Sequence, residues 1–574
     1  MARGGEQMGM YEKKYLDELR EAFEAWEKKH KDEFGKERKS EFISEGEIPV
    51  KRLCTPLDLA EKGFDYLKDL GFPGDYPFER GITATMGRSQ PMILAQYSGY
   101  GSPEESNKLW KAMIAAGATS MTVAYDLPSQ LGVDSDNPRA EGEVGRTGCA
   151  MYSQKDWEIA LDGIDLNKVM VNQVYNAPAI FGVANHLTLA EKQGVSFSEV
   201  RGACQNDTLK EYYARGNYIF PPAQSMRLVG DILAYCGKHA PRYNPTQVCG
   251  IHQAEMGATP VHEIAFALAD AIAYIQAAVA RGIDVDLIAP GMMFVTGIRH
   301  FDFFEQIAKH RAARRIYAKI MKERFKAKKP ESQMMRFRTA TGGMSCYKEE
   351  YLNNIARGAI GALAAAMVGV QSFYMTCYDE QFGIPTKEAI ITSLQTSRVA
   401  AFETGCSDVV DPLAGSYYVE YLTSELEERI WQELEDIDRR GGAVKCIESG
   451  YFHRTIAQDA YKWQKRFESG ELIRVGVNAY KTEAVTDRPM MIYRSDPGEE
   501  KKRKTAIAEL RKKRDNTRVK KALDEIKAVA GLEPTAENNL FPPVLEATKY
   551  YATVGEVCDA LREVWGEYLE PAVF

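Results

Sequence analysis

The sequence predicts an α/β protein: a closed (β/α)8 barrel of the TIM type, with an N-terminal helical arm and a mostly helical C-terminal accessory region. Three observations predict it. Between Pro91 and Cys377, short β-rich runs alternate with helical stretches, and strand–helix alternation implies a parallel sheet. The alternation repeats about eight times without a Rossmann glycine pattern, which favours closure into a barrel. The stretches before and after it have helical rather than strand-like spacing.

Residues 1–60 form the arm. Tyr11–Phe42 is rich in Glu, Lys and Leu and reads as one or two amphipathic helices, able to pack on their own domain or on a second subunit. Residues 61–410 form the barrel. Its predicted strands are Pro91–Ser98, Ser120–Leu127, Lys168–Tyr175, Arg201–Asp207, Gln247–Ala254, Leu287–Phe294, Met335–Gly342 and Gly369–Cys377. Helical segments between them include Glu104–Ala116, Val261–Ala280 and Asp302–Lys322. A barrel of this kind carries its site at the carboxyl ends of the strands. Tyr97, Asp126, Asn176, Gln205, His252 and Glu380 are the polar residues late in, or just after, these runs. Residues 411–574, with glycine interruptions such as Gly441-Gly442, form the accessory region. Its basic stretch Lys501–Lys521 reads as a solvated helical face, the sharper alternative being a contact for an acidic partner subunit.

A chain of 574 residues with 45% hydrophobic and 27% charged residues has ordinary globular composition. Its formal charge of −8 argues against general nucleic-acid binding. The longest apolar stretch, Gly358–Val370, is too short to span a bilayer, and the N-terminus is charged where a signal peptide would be apolar. The expectation is a cytoplasmic protein that engages neither membrane nor nucleic acid. The 10 cysteines include no C-x-x-C pair, and no two of the 8 histidines have metal-ligand spacing. Neither a zinc site nor a disulfide framework is expected. The phosphate loop, G-x-G-x-x-G, H-E-x-x-H and G-x-S-x-G are all missing.

Several longer stretches carry a resemblance instead. Val133-Asp134-Ser135-Asp136-Asn137-Pro138-Arg139 followed by Gly142–Gly145, Gln205-Asn206-Asp207 with Leu209-Lys210-Glu211, and Tyr218–Pro222 are similar to the large subunits of methylmalonyl-CoA mutases. So are GIHQAEMGAT around His252, YDEQFGIPT around Glu380 and DPLAGSYY at Asp411–Tyr418, in order from about Pro77 to Asn478. The resemblance implies a barrel threaded by an acyl-CoA chain, with adenosylcobalamin across the carboxyl ends of its strands. Family members carry the cobalt-ligating histidine in an Asp-x-His-x-x-Gly run, and no histidine here follows an aspartate by two positions. A separate small cobalamin-binding subunit is therefore expected to supply that ligand, with a homodimer of large subunits inside a heterotetramer.

By the same resemblance His252 and Gln205 donate hydrogen bonds to the thioester carbonyl, and Arg215 beside Tyr97 fixes a substrate carboxylate. Without it, His252 reads as a structural histidine, Gln205 as a packing residue and Arg215 as a helix-surface arginine. The physical logic of the matched roles holds: a migrating thioester carbonyl needs a donor, and a bidentate guanidinium fixes a carboxylate geometrically. The resemblance implies further that Thr122 and Asn172 contact substrate and that Tyr125, Leu127, Glu255, Gly343 and Glu380 contact the cofactor, Glu380 at the adenosyl ribose.

Other positions depart from the family. Gln90, Ala95 and Gly291 stand where phosphate-binding arginines are expected. Val174, Ala203 and Asn172 replace small polar residues of the thioester channel, Ile251 replaces a tyrosine, and Arg338 and Ala340 replace a histidine and a glutamine near the corrin. Members acting on hydroxyacyl groups carry an acidic residue at the position of Ala124. The expected function is radical 1,2-migration of an acyl-thioester group on a methylmalonyl-CoA-like substrate. The alternatives are a mutase for a different branched, longer or non-CoA acyl substrate, and a catalytically silent scaffold paralogue.

Overall fold

Parallel strands dominate the centre of the molecule. The structure is a computed structural model and describes residues 7–8, 10–94, 97–115, 118, 120–482, 496 and 498–570. Ala95 and the end of the helix expected over Glu104–Ala116 lie outside the described residues. One five-stranded parallel sheet has the spatial order Tyr97–Ser98, Ser120–Ala124, Met170–Val174, Gly202–Cys204, Tyr243–Asn244. The second runs Ile93–Leu94, Ser372–Tyr374, Phe337–Ala340, Met292–Gly297, Thr246–Cys249.

The single closed sheet expected from the sequence is therefore not what the hydrogen-bond ladders form: two sheets stand where one ring was predicted. The break at the fifth strand has a local cause. Pro245 separates Tyr243–Asn244 from Thr246–Cys249 and has no N–H to give to a ladder. Across this break one backbone bond, from Gln247 N to Gln205 O at 2.8 Å, joins the two sheets. At the other junction Ile93–Leu94 belongs to the second sheet and Tyr97–Ser98 to the first, and the two residues between them lie outside the described residues.

Two predicted strands end differently. The fifth stops at Cys249, and Ile251–Glu255 is a short helix after Gly250, so His252 is presented by a helix rather than by a strand end. In the sixth, Asp284 caps the helix Val285–Ile288 and the strand begins only at Met292, past Pro290. The fourth ends at Cys204, and Asn206 takes a left-handed φ of 43°.

Helices cover the sheets. Pro260–Val279 is long and apolar enough to cross a membrane, but 78% of that window is buried, as befits a core helix. Its start is fixed by the Thr259 side chain and a first-turn proline. The Tyr11–Phe42 segment of the arm forms one helix, Lys13–Phe34, whose Leu16 packs with Leu57 and Ala60 of the helix Pro56–Glu61.

Two hydrophobic cores result. One joins the first sheet and its helices to Ile507, Val519, Ile526, Val544 and Val557 of the C-terminal helices. The other joins the second sheet to Leu422, Leu426, Ile430 and Phe452, from the helices Tyr417–Arg439 and Tyr451–Glu468. The accessory region thus completes both cores. The basic stretch is correspondingly less solvated than its composition suggested. Arg503 pairs with Glu499 (2.9 Å) and Asp156 (3.4 Å), Arg511 with Asp134 (2.7 Å) and Asp136 (2.5 Å), and Arg514 with Glu556. Lys501, Lys512, Lys513, Lys520 and Lys521 keep its exposed face.

Candidate active site

The strands place their site residues by register. Tyr97 pairs directly with Thr122, Thr122 with Asn172, and Asn172 with Ala203, so these residues form one row across the first sheet. Tyr97 is 39% exposed, and with Ala124, Tyr374 and Glu380 it lines a cavity of about 660 Å³. The cavity thus has walls from both sheets.

A hydrogen-bonded network organises the first side. Asn176, just past the Met170–Val174 strand, donates to Gln205 Oε1 (2.9 Å) and to Glu211 Oε1 (2.7 Å). Glu211 also pairs with Lys210 and accepts from Arg215 Nη1 at 3.2 Å. Arg215 Nη2 donates to Gln130 Oε1 at 2.7 Å. Burial alone would raise the Glu211 carboxyl, but the Lys210 and Arg215 cations hold it below its ordinary value. Arg215 responds in kind: burial opposes its charge, yet Glu211 outweighs burial and keeps its pKa raised. The guanidinium is thereby fixed beside Tyr97, whose phenol is raised by burial and eased by the charge of Arg215.

His252 lies near enough to this network to feel its cations. Its Nδ1 is buried without a hydrogen-bond partner among the described residues. Burial first, then the Lys210 and Arg215 cations, push the imidazole well below its ordinary pKa. It is a neutral imidazole with a nitrogen to offer, matched to hydrogen-bonding a carbonyl rather than an anion.

The proposed cofactor contacts divide. Glu380 lies on the cavity, and its carboxyl is raised to about 7 by burial first, then by Asp379 and Glu255. Glu255 Oε2 accepts from the backbone N–H of Met344 at 3.1 Å. A Cβ at Gly342 would lie 2.0 Å from Glu255 Oε1, and one at Gly343 3.0 Å from Oε2. This glycine pair keeps the backbone flat against that carboxylate, with Gly342 at a positive φ of 75°. Leu127 opens the short helix Leu127–Gln130, capped by Asp126. Tyr125, in contrast, is 1% exposed, stacks on Tyr175 at 4.1 Å and donates to Gln173 Oε1, so its ring belongs to the core.

Two acidic residues singled out in the sequence are structural. Asp126 accepts from Gly145 N (2.9 Å) and Tyr152 OH (2.6 Å) and is raised to about 6 by burial. Asp134, of the first resembling stretch, accepts from Gly555 N at 2.9 Å and so fastens the last helix. Residue-by-residue reading passed over Gln130, Lys210, Asn176's link to Glu211, and Gln247, whose Nε2 donates to Asn172 Oδ1 at 2.6 Å. The i, i+4 spacing of Glu211 and Arg215 was a usable signal for one of these pairs.

The methylmalonyl-CoA mutase family model matches residues 43–567. The large subunit of 2-hydroxyisobutanoyl-CoA mutase from Aquincola tertiaricarbonis is 41% identical over 538 residues, which cover 94% of each chain. Methylmalonyl-CoA mutase from Rhizobium meliloti (strain 1021) is 39% identical over 522 residues, 91% of this chain and 72% of that one. The methylmalonyl-CoA mutase large subunit of Streptomyces virginiae is 36% identical over 524 residues, 91% of this chain and 70% of that one.

Proposed function

Because the chain belongs to the methylmalonyl-CoA mutase family, enzymes that are intramolecular transferases, we propose that it is the large, substrate-binding subunit of an adenosylcobalamin-dependent acyl-CoA mutase. On this reading the two sheets are halves of one eight-stranded barrel, interrupted at Pro245. The observation that carries the proposal is Arg215, held between Glu211 and Gln130 and acting electrostatically on both Tyr97 and His252, whose Nδ1 is unpartnered.

The chain's own residues then have separable tasks. Arg215 and Tyr97 hold a carboxylate on the migrating acyl group. His252 and Gln205 hold the thioester oxygen while the carbon skeleton rearranges, the imidazole donating from its neutral form. No proton needs to be abstracted by a strong base. Adenosylcobalamin, when bound, supplies the radical that starts hydrogen abstraction; Glu380, Glu255 and the Gly342-Gly343 backbone would hold it. They fit that role, since Glu380 is a cavity carboxyl with no hydrogen bond to its oxygens among the described residues, and Glu255 is held against the Gly342-Gly343 backbone where a Cβ would displace it. The cobalt ligand would come from a small subunit, in a cytoplasmic heterotetramer built on a dimer of this chain.

A second reading, a 2-hydroxyacyl substrate, is favoured by the 41% identity to the 2-hydroxyisobutanoyl-CoA mutase large subunit. Against it, Ala124 lines the cavity and offers a substrate hydroxyl no acceptor. The test is turnover of methylmalonyl-CoA and 2-hydroxyisobutanoyl-CoA by this chain with its copurifying small subunit and adenosylcobalamin. Preference for the dicarboxylic thioester is expected; preference for the hydroxyacyl thioester moves the assignment to the second reading. Turnover of neither overturns both.

A further inference from the structure

Several buried cations of this chain are paired with carboxylates. Arg215 has Glu211, Arg299 has Glu45, Lys309 has Glu263, and Arg311 has Glu79, Asp411 and Glu420. Arg314, without a carboxylate, donates instead to the carbonyls of Glu79, Val368 and Gly369. Arg338 has neither kind of compensation. Among the described residues its one hydrogen bond runs from Nη2 to Thr122 Oγ1 at 2.8 Å, and it forms no ion pair.

That contact crosses the molecule. Arg338 belongs to the Phe337–Ala340 strand of the second sheet and Thr122 to the Ser120–Ala124 strand of the first. Asn172 Nδ2 donates to the same Thr122 oxygen at 3.3 Å, and Gln247 Nε2 donates to Asn172 Oδ1 at 2.6 Å. Four side chains from four strands thus meet in the space between the sheets, one row below the cavity wall at Ala124. Thr122, Asn172 and Gln247 are each no more than 3% exposed, and burial lowers the guanidinium to about 10. A guanidinium carries five N–H donors in a planar fork, and only one is spent here. Partly exposed itself, with the buried Thr122, Asn172 and Gln247 beside it and no carboxylate partner, it has charged donors free for an incoming anion.

We propose that Arg338, with Thr122 and Asn172, forms a second anion-binding subsite between the two sheets, distinct from Arg215, which takes an anionic oxygen group of the substrate. The group is a carboxylate of the acyl portion or a phosphate of its carrier. The inference rests on the mutase reading for the ligand's identity, not for the existence of the site. It also gives a role to a residue that stands where the family resemblance leads one to expect histidine.

The test uses the full chain, with methylmalonate and inorganic pyrophosphate as probes and calorimetric titration as the readout. At least one anion is expected to bind the wild type ten-fold or more tightly than Arg338→Gln, with Arg338→Lys between them. Discrimination by methylmalonate assigns the subsite to an acyl carboxylate, and discrimination by pyrophosphate to a carrier phosphate. Arg338→Gln should melt no lower than the wild type without ligand, because it removes an uncompensated interior charge; should it fail to fold, Arg338→Lys decides. Equal binding to wild type and variant, or binding to neither, overturns the proposal. Methylmalonyl-CoA is titrated in parallel. If it does not bind while the simple anions still discriminate, the mutase reading fails and the subsite stands.

Discussion

The two sheets bring different kinds of side chain to the site. On the first, Asn176, Gln205, Glu211, Arg215 and Gln130 satisfy one another through hydrogen bonds of 2.7–3.2 Å, and Lys210 and Arg215 share the carboxylate of Glu211. On the second, His252 Nδ1 is an orphan, Arg338 has only a hydroxyl, and Glu380 is a carboxyl raised to about 7 without a cation beside it. One side is complete in the free chain; the other has hydrogen-bonding capacity that only a ligand can use. A preorganised side fixes where the substrate lies, whereas an unsatisfied side stores interaction energy until substrate or cofactor arrives. Substitutions on the first should therefore cost folding as well as function, and those on the second chiefly function.

The largest effect should come from breaking the complete side. Glu211→Ala leaves Lys210 and Arg215 uncompensated in the interior and should cost about 3–5 kcal/mol of stability, measured by urea unfolding. A loss comparable to that of a surface substitution would show that the network is not what holds this region. His252→Ala should instead slow turnover at least about ten-fold, up to roughly 2–4 kcal/mol of transition-state stabilisation, while the melting temperature stays nearly unchanged. Loss of stability with unchanged kcat would place His252 among the structural residues and erase the contrast.

Arg215→Gln tests whether the complete side reads the substrate. It removes a charge-assisted contact worth roughly 1.5–3 kcal/mol, so the ratio of kcat/KM for dicarboxylic over uncharged branched acyl thioesters should fall about ten-fold or more. An unchanged ratio would mean that Arg215 serves Glu211 alone. The smallest effect is a pH dependence from Glu380. Its folded pKa is about 7 against an ordinary 4.5, so the folded chain keeps a proton that the unfolded chain has lost. Its contribution is therefore fully present below about 4.5 and is lost as pH rises to about 7. Glu380→Gln should flatten the fall in stability across that window by on the order of 1 kcal/mol, discounting the group's partial exposure. The same slope in both proteins would assign the titration to other groups.

Much of this contrast follows from patterns the sequence displays openly. Strand–helix alternation placed most of the strands to within a few residues, and Tyr97 and Glu380 line one cavity. What the sequence hid was tertiary. Ile251-His252-Gln253-Ala254 continues the preceding strand in the sequence pattern, whereas the chain turns into a short helix after Gly250. Tyr125 sits at the right place along its strand, but its ring turns inward because Gln173 and Tyr175 wait there. The arginines of the basic stretch look solvated in a local window because their partners, Asp134, Asp136 and Asp156, lie more than three hundred residues earlier. The gap at Pro245 was visible as a residue, though its effect on the ladder was not.

That last separation bears on how the chain is made. The core under the first sheet, nucleated by residues such as Trp110, Val171 and Leu187, is closed by Ile507, Ile526, Val544 and Val557. The core under the second sheet needs nothing beyond Ile456 among its buried residues. At a synthesis rate of about 5–20 residues per second, the hundred or so residues between the two closing points take roughly 5–20 seconds to emerge. The part of the chain translated first is thus the last to bury its apolar surface. During that interval the nascent protein carries a finished second half and an open first half, which is where a chaperone would be expected to bind and where a premature stop codon would do its damage.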